Sequence, residues 1–275
     1  LIIHGTTLAT NALIEKRGAV TALITTEGHR DALEIAYEHR FEQYDVMIDR
    51  PAPLVPRWLR LPVRERMNAR GEPILPLEEA SVLQLAPVLE SEGVESLAVG
   101  LLHSYANAGH EERVGEILSR AMPRLSISLS SEVAPEIREY ERQTTTVANA
   151  YVRPLMERYL RALEAAFRAK GFDCPFLLVT SGGGLCTVET AARFPVRLVE
   201  SGPAGGAVLA ASVARALALE SVLSFDMGGT TAKMCLIDKG EPASARVFEV
   251  DRSYRFKKGS GTPIRIPVIE LVEIG

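Results

Sequence analysis

The sequence predicts an α/β fold. Short β-branched runs alternate with helical patterns, several apolar runs are continuous as in strands buried on both faces, and Gly-rich turns follow those runs, where α/β folds place their ligands. At 275 residues the chain holds one large or two modest domains, given about 100 to 200 residues per domain. A composition of 47% hydrophobic and 24% charged residues excludes disordered, collagen-like and disulfide-stapled classes. The net charge of -4 supplies no basic field for a polyanion, so nucleic acid is not expected as a partner.

Taken in order, Leu1-Ile2-Ile3-His4-Gly5 has no initiator Met and reads as the end of a strand, so the sequence reads as a piece of something longer. Residues 20–24, 97–102, 125–129, 176–179 and 222–225 are predicted as core strands buried on both faces. Val82, Leu85, Ala86 and Leu89 keep helical spacing and predict one helix ending at Gly93, with a second around Val114, Ile117 and Leu118 before Pro123. A long helix is expected over 153–170, where Leu155, Met156, Tyr159, Leu160, Leu163, Ala166 and Phe167 form one stripe capped by Gly171. It would link two lobes, with the division near 139–146, giving domains at 1–140 and 141–275. Residues 44–76, carrying Pro51, Pro53, Pro56, Pro62 and Pro73 around Trp58, read as an aperiodic surface excursion. Residues 264–274, rich in Ile and Val, read as a closing strand. No run reaches the roughly 18 apolar residues of a membrane span, which predicts a soluble protein without a membrane partner. Three cysteines, Cys174, Cys186 and Cys235, lack CxxC spacing, which argues for free thiols in a reducing cytoplasm.

Four segments could carry chemistry. Residues 224–240 read as a hairpin in which Asp226 ends one strand and Gly228, Gly229, Thr230 and Thr231 form the tip. Glycines there bring N–H groups close to an anion, threonines add donors, and Asp226 suits a hydrated Mg²⁺ that takes few protein carboxylates. A plain Gly-Gly hairpin is the bland alternative. Ser201, Gly202, Pro203, Ala204, Gly205 and Gly206 open a small-residue helix whose N-terminus suits phosphate, although close helix packing also explains small side chains. Ser181, Gly182, Gly183 and Gly184 follow a strand, as either a ligand turn or a flexible one. His4, Thr6, Thr7, Thr10 and Asn11 place polar groups around another strand–turn–helix junction, where one threonine can cap the helix and His4 is either a ligand donor or a packed core histidine.

Two charged groups are read as ordinary. Glu136, Arg138, Glu139, Glu141 and Arg142 look like a solvated helix face. His103-Ser104-Tyr105 and His110-Glu111-Glu112 lack a second cluster at metal-ligand spacing, and capping after Asn107 accounts for the latter, so no structural metal is assigned. GxSxG, HExxH and P-loop motifs do not occur.

The blocks HGTTLATNAL, EIREYERQTTTVANAYVRP, ESGPAGGA, SFDMGGTTAK and PIRIPVIELVEIG, in that order, resemble the ATP-dependent hydantoinase A / 5-oxoprolinase family, which is related to acetone and acetophenone carboxylase subunits. The resemblance implies an actin, Hsp70 and sugar-kinase type of fold, with two ribonuclease-H-like lobes around an ATP cleft, incomplete in this chain. The family's amino-terminal DxGGTFTD-like hairpin and a later AGGGS-like turn are not in this sequence. Many members read GTSTD where this chain has Gly229-Thr230-Thr231-Ala232-Lys233, and SNGG where it has Ser181-Gly182-Gly183-Gly184.

The implied reaction is ATP-dependent phosphorylation of a cyclic amide carbonyl before ring opening, with ATP and Mg²⁺ as cofactors and a hydantoinase B type subunit or domain as partner. Asp226 would be the catalytic and metal-organising residue. Gly228, Gly229, Thr230, Thr231, Ser201, Gly202, Gly205, Gly206, Ser181 and Gly183 would hold the nucleotide. His4, Thr6, Thr7, Thr10 and Asn11 would face the substrate. A ketone carboxylase subunit, a nucleotide-switched binding protein and a small-molecule kinase are the competing functions, and a homo-oligomer remains open.

Overall fold

A computed structural model describes residues 1–38, 40–228, 232–254 and 257–274 and shows an α/β protein. The chain begins with β1 (Ile2–His4), α1 (Leu8–Ile14), β2 (Thr21–Thr26), α2 (Ala32–Ile35), β3 (Arg60–Val63), β4 (Arg66–Met67) and β5 (Pro73–Leu75). It continues through α3 (Glu79–Leu83), α4 (Ala86–Ser91), β6 (Ser96–Val99), α5 (Gly109–Ala121), β7 (Ser126–Leu129), α6 (Ser130–Val133) and α7 (Glu139–Ala169). Then come β8 (Phe176–Val179), β9 (Leu185–Thr187), α8 (Val188–Arg193), α9 (Ser201–Ala216), β10 (Ser221–Met227) and β11 (Ala232–Asp238). Short strands close the described chain: β12 (Glu241–Pro242), β13 (Ser244–Ala245), β14 (Phe248–Val250), β15 (Thr262–Ile264), β16 (Val268–Ile269) and β17 (Val272–Ile274). None of the described helices is long and apolar enough to cross a membrane.

Two compact units share this chain. One comprises residues 1–11, 156–248 and 266–275, and the other residues 12–155 and 249–265. The sequence led to halves at 1–140 and 141–275. Compactness divides the chain otherwise, because α7 runs unbroken through 139–146 and contributes to both units.

The unit built on residues 12–155 carries a four-stranded sheet in the order β3-β2-β6-β7, with every pairing parallel. All six residues of β2 and all four of β6 are buried, as their continuous apolar runs predict. Leu23, Ile24, Leu97 and Val99 pack with Val82, Leu89, Val114 and Leu118 from the covering helices and with Val147 and Ala150 of α7. β3 is a correction to the reading of 44–76 as a surface excursion. Its Arg60, Leu61 and Val63 are buried, and Pro62 is tolerated because β3 lies at the sheet edge, where a missing N–H breaks no central ladder. The single helix expected up to Gly93 is two, α3 and α4. Pro87 explains the break, since a proline has no N–H to donate and clashes with the preceding turn, yet fits the first turn of the new helix.

The charge run that leads into the first turn of α7 is a second correction, since it is not a solvated face throughout. Arg142 is fully buried, and Glu141 is 7% exposed. The Arg142 guanidinium donates to Leu101 O at 2.8 Å, Glu136 O at 3.0 Å and Ser130 Oγ at 3.1 Å, and lies 5.5 Å from the Tyr105 ring centroid. Burial pushes it below the usual arginine range, while Glu111 and Glu139 act in the opposite direction. Glu111, also buried, accepts from Leu101 N, Ser130 Oγ and Ser131 N at 2.7–2.9 Å. Asn107 accepts from Gly109 N at 2.9 Å in the turn ahead of α5, but the N-cap is Ala108, which has no capping side chain, so capping does not explain the buried carboxylate nearby.

The other unit has three small sheets among its described residues, one of them the two-stranded β13–β16 pair. In the first, β1 pairs parallel with β8, which pairs antiparallel with β9. In the second, β10 pairs with β11, and β11 pairs with β12 and β17. Cys235 and Ile237 of β11 are buried against Ala204, Ala207 and Ala211 of α9. The prediction that 222–225 is a strand covered on both faces does not hold. β10 is an edge strand, and Leu223 and Phe225 are about three-fifths exposed on the face away from α9. A continuous apolar run therefore marks one covered face here, the helix covering only the other set of side chains. The single closing strand expected over 264–274 is three short ones, β15, β16 and β17.

Replacing Arg142 by Met should lower folding stability by about 2 to 4 kcal/mol, because two carbonyls lose a charged donor and buried Glu111 loses its nearby cation. Urea unfolding measures this, and a change below about 0.5 kcal/mol would show that the guanidinium is dispensable to the fold.

Candidate functional site

Within the unit that contains β1, β8 and α9, four segments distant in sequence are tied together by side chains. The turn after β1 lies beside the start of α9. Ser201 Oγ donates to Thr6 O at 3.2 Å and accepts from Thr6 N at 3.4 Å. A Cβ built on Gly5 would stand 3.5 Å from Gly202 Cα, so the two glycine backbones are in van der Waals reach. Thr10, buried in the first helix, accepts from Glu200 N at 3.1 Å.

Glu200 is the pivot. It precedes α9 with a left-handed backbone, φ 61° and ψ 20°, a conformation that costs a residue with a side chain about 1 kcal/mol or more. Its amide is held by Thr10, and its carboxylate pairs with the Lys233 ammonium. Lys233 stands directly opposite Asp226 in the β10–β11 ladder, so both side chains leave the same face of the hairpin. Ser224 opposite Cys235 and Val222 opposite Ile237 continue that face toward the packing against α9. Asp226 is therefore exposed at the end of the helix-facing side, next to the lysine that reaches the head of the helix.

The cradle at that helix start is open. A Cβ built on Gly202 or on Gly206 meets nothing within 4 Å. Pro203 has no N–H, which leaves Ser201 and Gly202 as the leading first-turn donors. Gly228, the described end of the hairpin tip, is likewise open, whereas Gly229, Thr230 and Thr231 lie outside the described residues.

Other residues singled out by sequence have protein partners. Ser181 is 2% exposed, and its hydroxyl faces Arg197 O at 2.7 Å and Val199 O at 2.5 Å, fastening the β8–β9 turn to the segment that leads into α9. Gly183 has φ +81°, and a Cβ there would meet Val208 at 2.7 Å, so the turn requires glycine for shape. Gly205 packs near Val179. Thr6 Oγ1 accepts from Leu8 N at 3.2 Å as the helix cap. His4 Nε2 meets Tyr159 Oη at 2.9 Å, its ring lies beside Tyr159 and Phe176, and burial pushes its pKa down, which is the packed-histidine alternative. Thr7 and Asn11 are exposed.

Glu200 and Lys233 are the residues that motif reading left without a role. The acidic residue immediately before the Gly-rich helix start and the lysine that departs from the usual GTSTD pattern are each visible in the sequence, but nothing in it joins them.

The hydantoinase/oxoprolinase profile matches residues 142–275, and that of the hydantoinase/oxoprolinase N-terminal region matches residues 1–122. The caprolactamase subunit alpha of Pseudomonas jessenii is 34% identical over 278 residues, covering 100% of this chain and 38% of the relative. The acetophenone carboxylase gamma subunit of Aromatoleum aromaticum is 33% identical over 251 residues, covering 86% of this chain and 34% of the relative. The crystal structure of the ATP-dependent caprolactamase from Pseudomonas jessenii superposes with a TM-score of 0.86 at 33% identity, over 100% of this chain and 39% of that one. The chain thus spans between a third and two fifths of the length of these relatives. Both profiles match in the order in which they lie along the sequence, and the chain belongs to the hydantoinase/oxoprolinase family.

Proposed function

We propose that this chain is the nucleotide-handling part of an ATP-dependent enzyme that activates the carbonyl of a cyclic amide for ring opening, on a fold of the actin, Hsp70 and sugar-kinase type. The observation that carries the reading is the junction of Asp226, Lys233, Glu200 and the Ser201–Gly202 helix start. Its donor set fits a phosphate: backbone N–H groups at an open helix terminus, glycines whose Cβ positions are empty, and an ammonium beside an exposed carboxylate.

In this reading Ser201, Gly202 and Gly206 line the phosphate cradle and Gly228 extends it, while Gly229, Thr230 and Thr231, outside the described residues, keep the nucleotide-binding role that the family resemblance implies. Gly205, Gly183 and Ser181 support it from behind by packing and hydrogen bonding. Asp226 would hold the hydrated Mg²⁺ that accompanies the nucleotide, since that ion accepts one or two carboxylates and keeps most of its water. ATP, when bound, supplies the phosphoryl group that converts an unreactive amide oxygen into a leaving group. The chain's own contribution is positioning and charge neutralisation, the terms that dominate phosphoryl transfer. Thr7 and Asn11, exposed on the first turn of the neighbouring helix, offer a hydroxyl and an amide to the substrate. Thr6, Thr10 and His4 act through position, being bonded to Leu8, Glu200 and Tyr159. A hydantoinase B type subunit or domain completes hydrolysis.

A second reading has support in the acetophenone carboxylase relative: the same cradle serving a ketone carboxylase subunit, with an enolate oxygen in place of the amide. Substrate-dependent ATP hydrolysis by the full-length protein with its partner subunit, screened over 5-oxoproline, hydantoins, caprolactam and ketones, separates the two. Turnover stimulated by none of them would reject both.

Asp226→Asn keeps volume and removes charge. It should lower ATP turnover about a thousandfold while leaving the circular dichroism spectrum unchanged; turnover near the original rate would refute the carboxylate's role. Lys233→Met cuts the tie between the hairpin and Glu200 and should raise the KM for ATP about tenfold, with a smaller effect on kcat. Steady-state kinetics tests this, and an unchanged KM would show that the pair is ornamental.

A further inference from the structure

A second candidate site lies wholly within the unit built on residues 12–155, at the carboxyl ends of its parallel strands. In the order β3-β2-β6-β7, the chain leaving β2 goes to β3 on one side, and the chain leaving β6 goes to β7 on the other. Parallel sheets open a crevice at the carboxyl ends of strands where the connections diverge in this way. Here that point falls between β2 and β6.

The residues at this point are polar. Thr26, the last of β2, accepts from Leu102 N beyond β6 at 3.0 Å and bonds the carboxyl of Glu65, which is fully buried and faces His110 Nδ1 at 2.7 Å. His29 follows β2, and its Nε2 meets Arg66 Nη1 at 2.6 Å. His103 follows β6 with a left-handed backbone, φ 57°, and its Nδ1 lies 3.3 Å from Tyr105 Oη. His29, Arg66 and His103 are each partly exposed.

Arg66 is unusual. Among the described residues it has no carboxylate within ion-pair distance, and its guanidinium is set against an imidazole instead. An imidazole can accept only one hydrogen bond at Nε2, which leaves most of the five-donor fork unused. The left-handed His103 adds a local strain that a turn alone does not need.

We propose that this crevice binds a small monocarboxylate, gripped by Arg66 and flanked by His29 and His103. A planar carboxylate matches the guanidinium fork, and neutral imidazoles beside it can each donate one further bond. A doubly charged phosphate fits less well, because Glu65 and Glu139 also act on this place. Around His29, burial and the nearness of Arg66 and His103 favour the neutral ring, while Glu139 from the first turn of α7 and Glu65 favour the charged one. A bound carboxylate draws the Arg66 fork off His29 Nε2 and favours the imidazolium, so binding takes up a proton at that freed nitrogen and strengthens as pH falls. The site requires no reading of the nucleotide cradle in the other unit.

Calorimetric titration of the protein with acetate, propionate, succinate and inorganic phosphate, at fixed ionic strength and at pH 6 and pH 8, tests the proposal. Acetate or propionate is expected to saturate one site more tightly than phosphate, more tightly at pH 6, with proton uptake seen as a dependence of the heat on buffer ionisation. Arg66→Gln should weaken binding at least about tenfold, and Arg66→Lys should fall between, since it keeps charge and loses the fork. His29→Asn should abolish the proton uptake. If Arg66→Gln fails to fold by circular dichroism, Arg66→Lys and His29→Asn carry the test. No saturable carboxylate binding, tighter binding of phosphate, or affinity unaltered in the folded Arg66 variants would each overturn it.

Discussion

The left-handed Glu200 is the constraint on which the candidate site depends. Its backbone turns the chain into α9 at an angle that a regular helix entry does not give, and it persists only because both ends of the residue are held. Thr10 takes the amide and Lys233 the carboxylate. A charge-assisted bond is worth about 1.5 to 3 kcal/mol, enough to offset the conformational cost. The result is a junction where a turn from the beginning of the chain, a helix from its middle and a hairpin from its last quarter share hydrogen bonds. Remove either partner and the helix start loses its aim, although none of the glycines has changed.

The sequence showed the parts of this junction more readily than their relations. Gly-rich stretches and continuous apolar runs have strong local signals, so β2, β6, β7, β8 and β10 and the start of α9 were legible, whereas β3, hidden among prolines, was not. The Glu200–Lys233 tie was not, because a pair separated by 33 residues leaves no periodic trace. Motif reading also could not tell a ligand hydroxyl from a bonded one. Ser181 and Thr6 satisfy neighbouring backbone groups, which only three-dimensional placement reveals. The Val222–Phe225 run erred for a related reason: continuous hydrophobicity reports residue type, and the faces are decided by what packs against them.

The polar interior of the other unit was the least legible feature. Charged residues in a row normally mean solvent, and Glu136 to Arg142 has that appearance. Arg142 goes inward because the carbonyls at Leu101 and Glu136 and the hydroxyl of Ser130 converge on one point, presenting acceptors that a guanidinium fork can satisfy together. Glu111 plays the complementary part for the amides of Leu101 and Ser131. Parallel strands leave such unpaired groups where their ends fan apart, and this unit meets the need with buried charge rather than with a tighter turn.

The interleaving of the two units bears on how the protein is made. β1 ends at His4 but its partner β8 begins at Phe176, so this pairing cannot form until the long stretch between them has been made. The sheet of β2, β3, β6 and β7 closes from residues 21–129 and is available for assembly much earlier. Vectorial synthesis therefore favours completion of that sheet before β1 meets β8, and the junction around Glu200 is a late event. A slow codon stretch or a chaperone engaged during that interval would affect the nucleotide-handling unit far more than the sheet that forms before it.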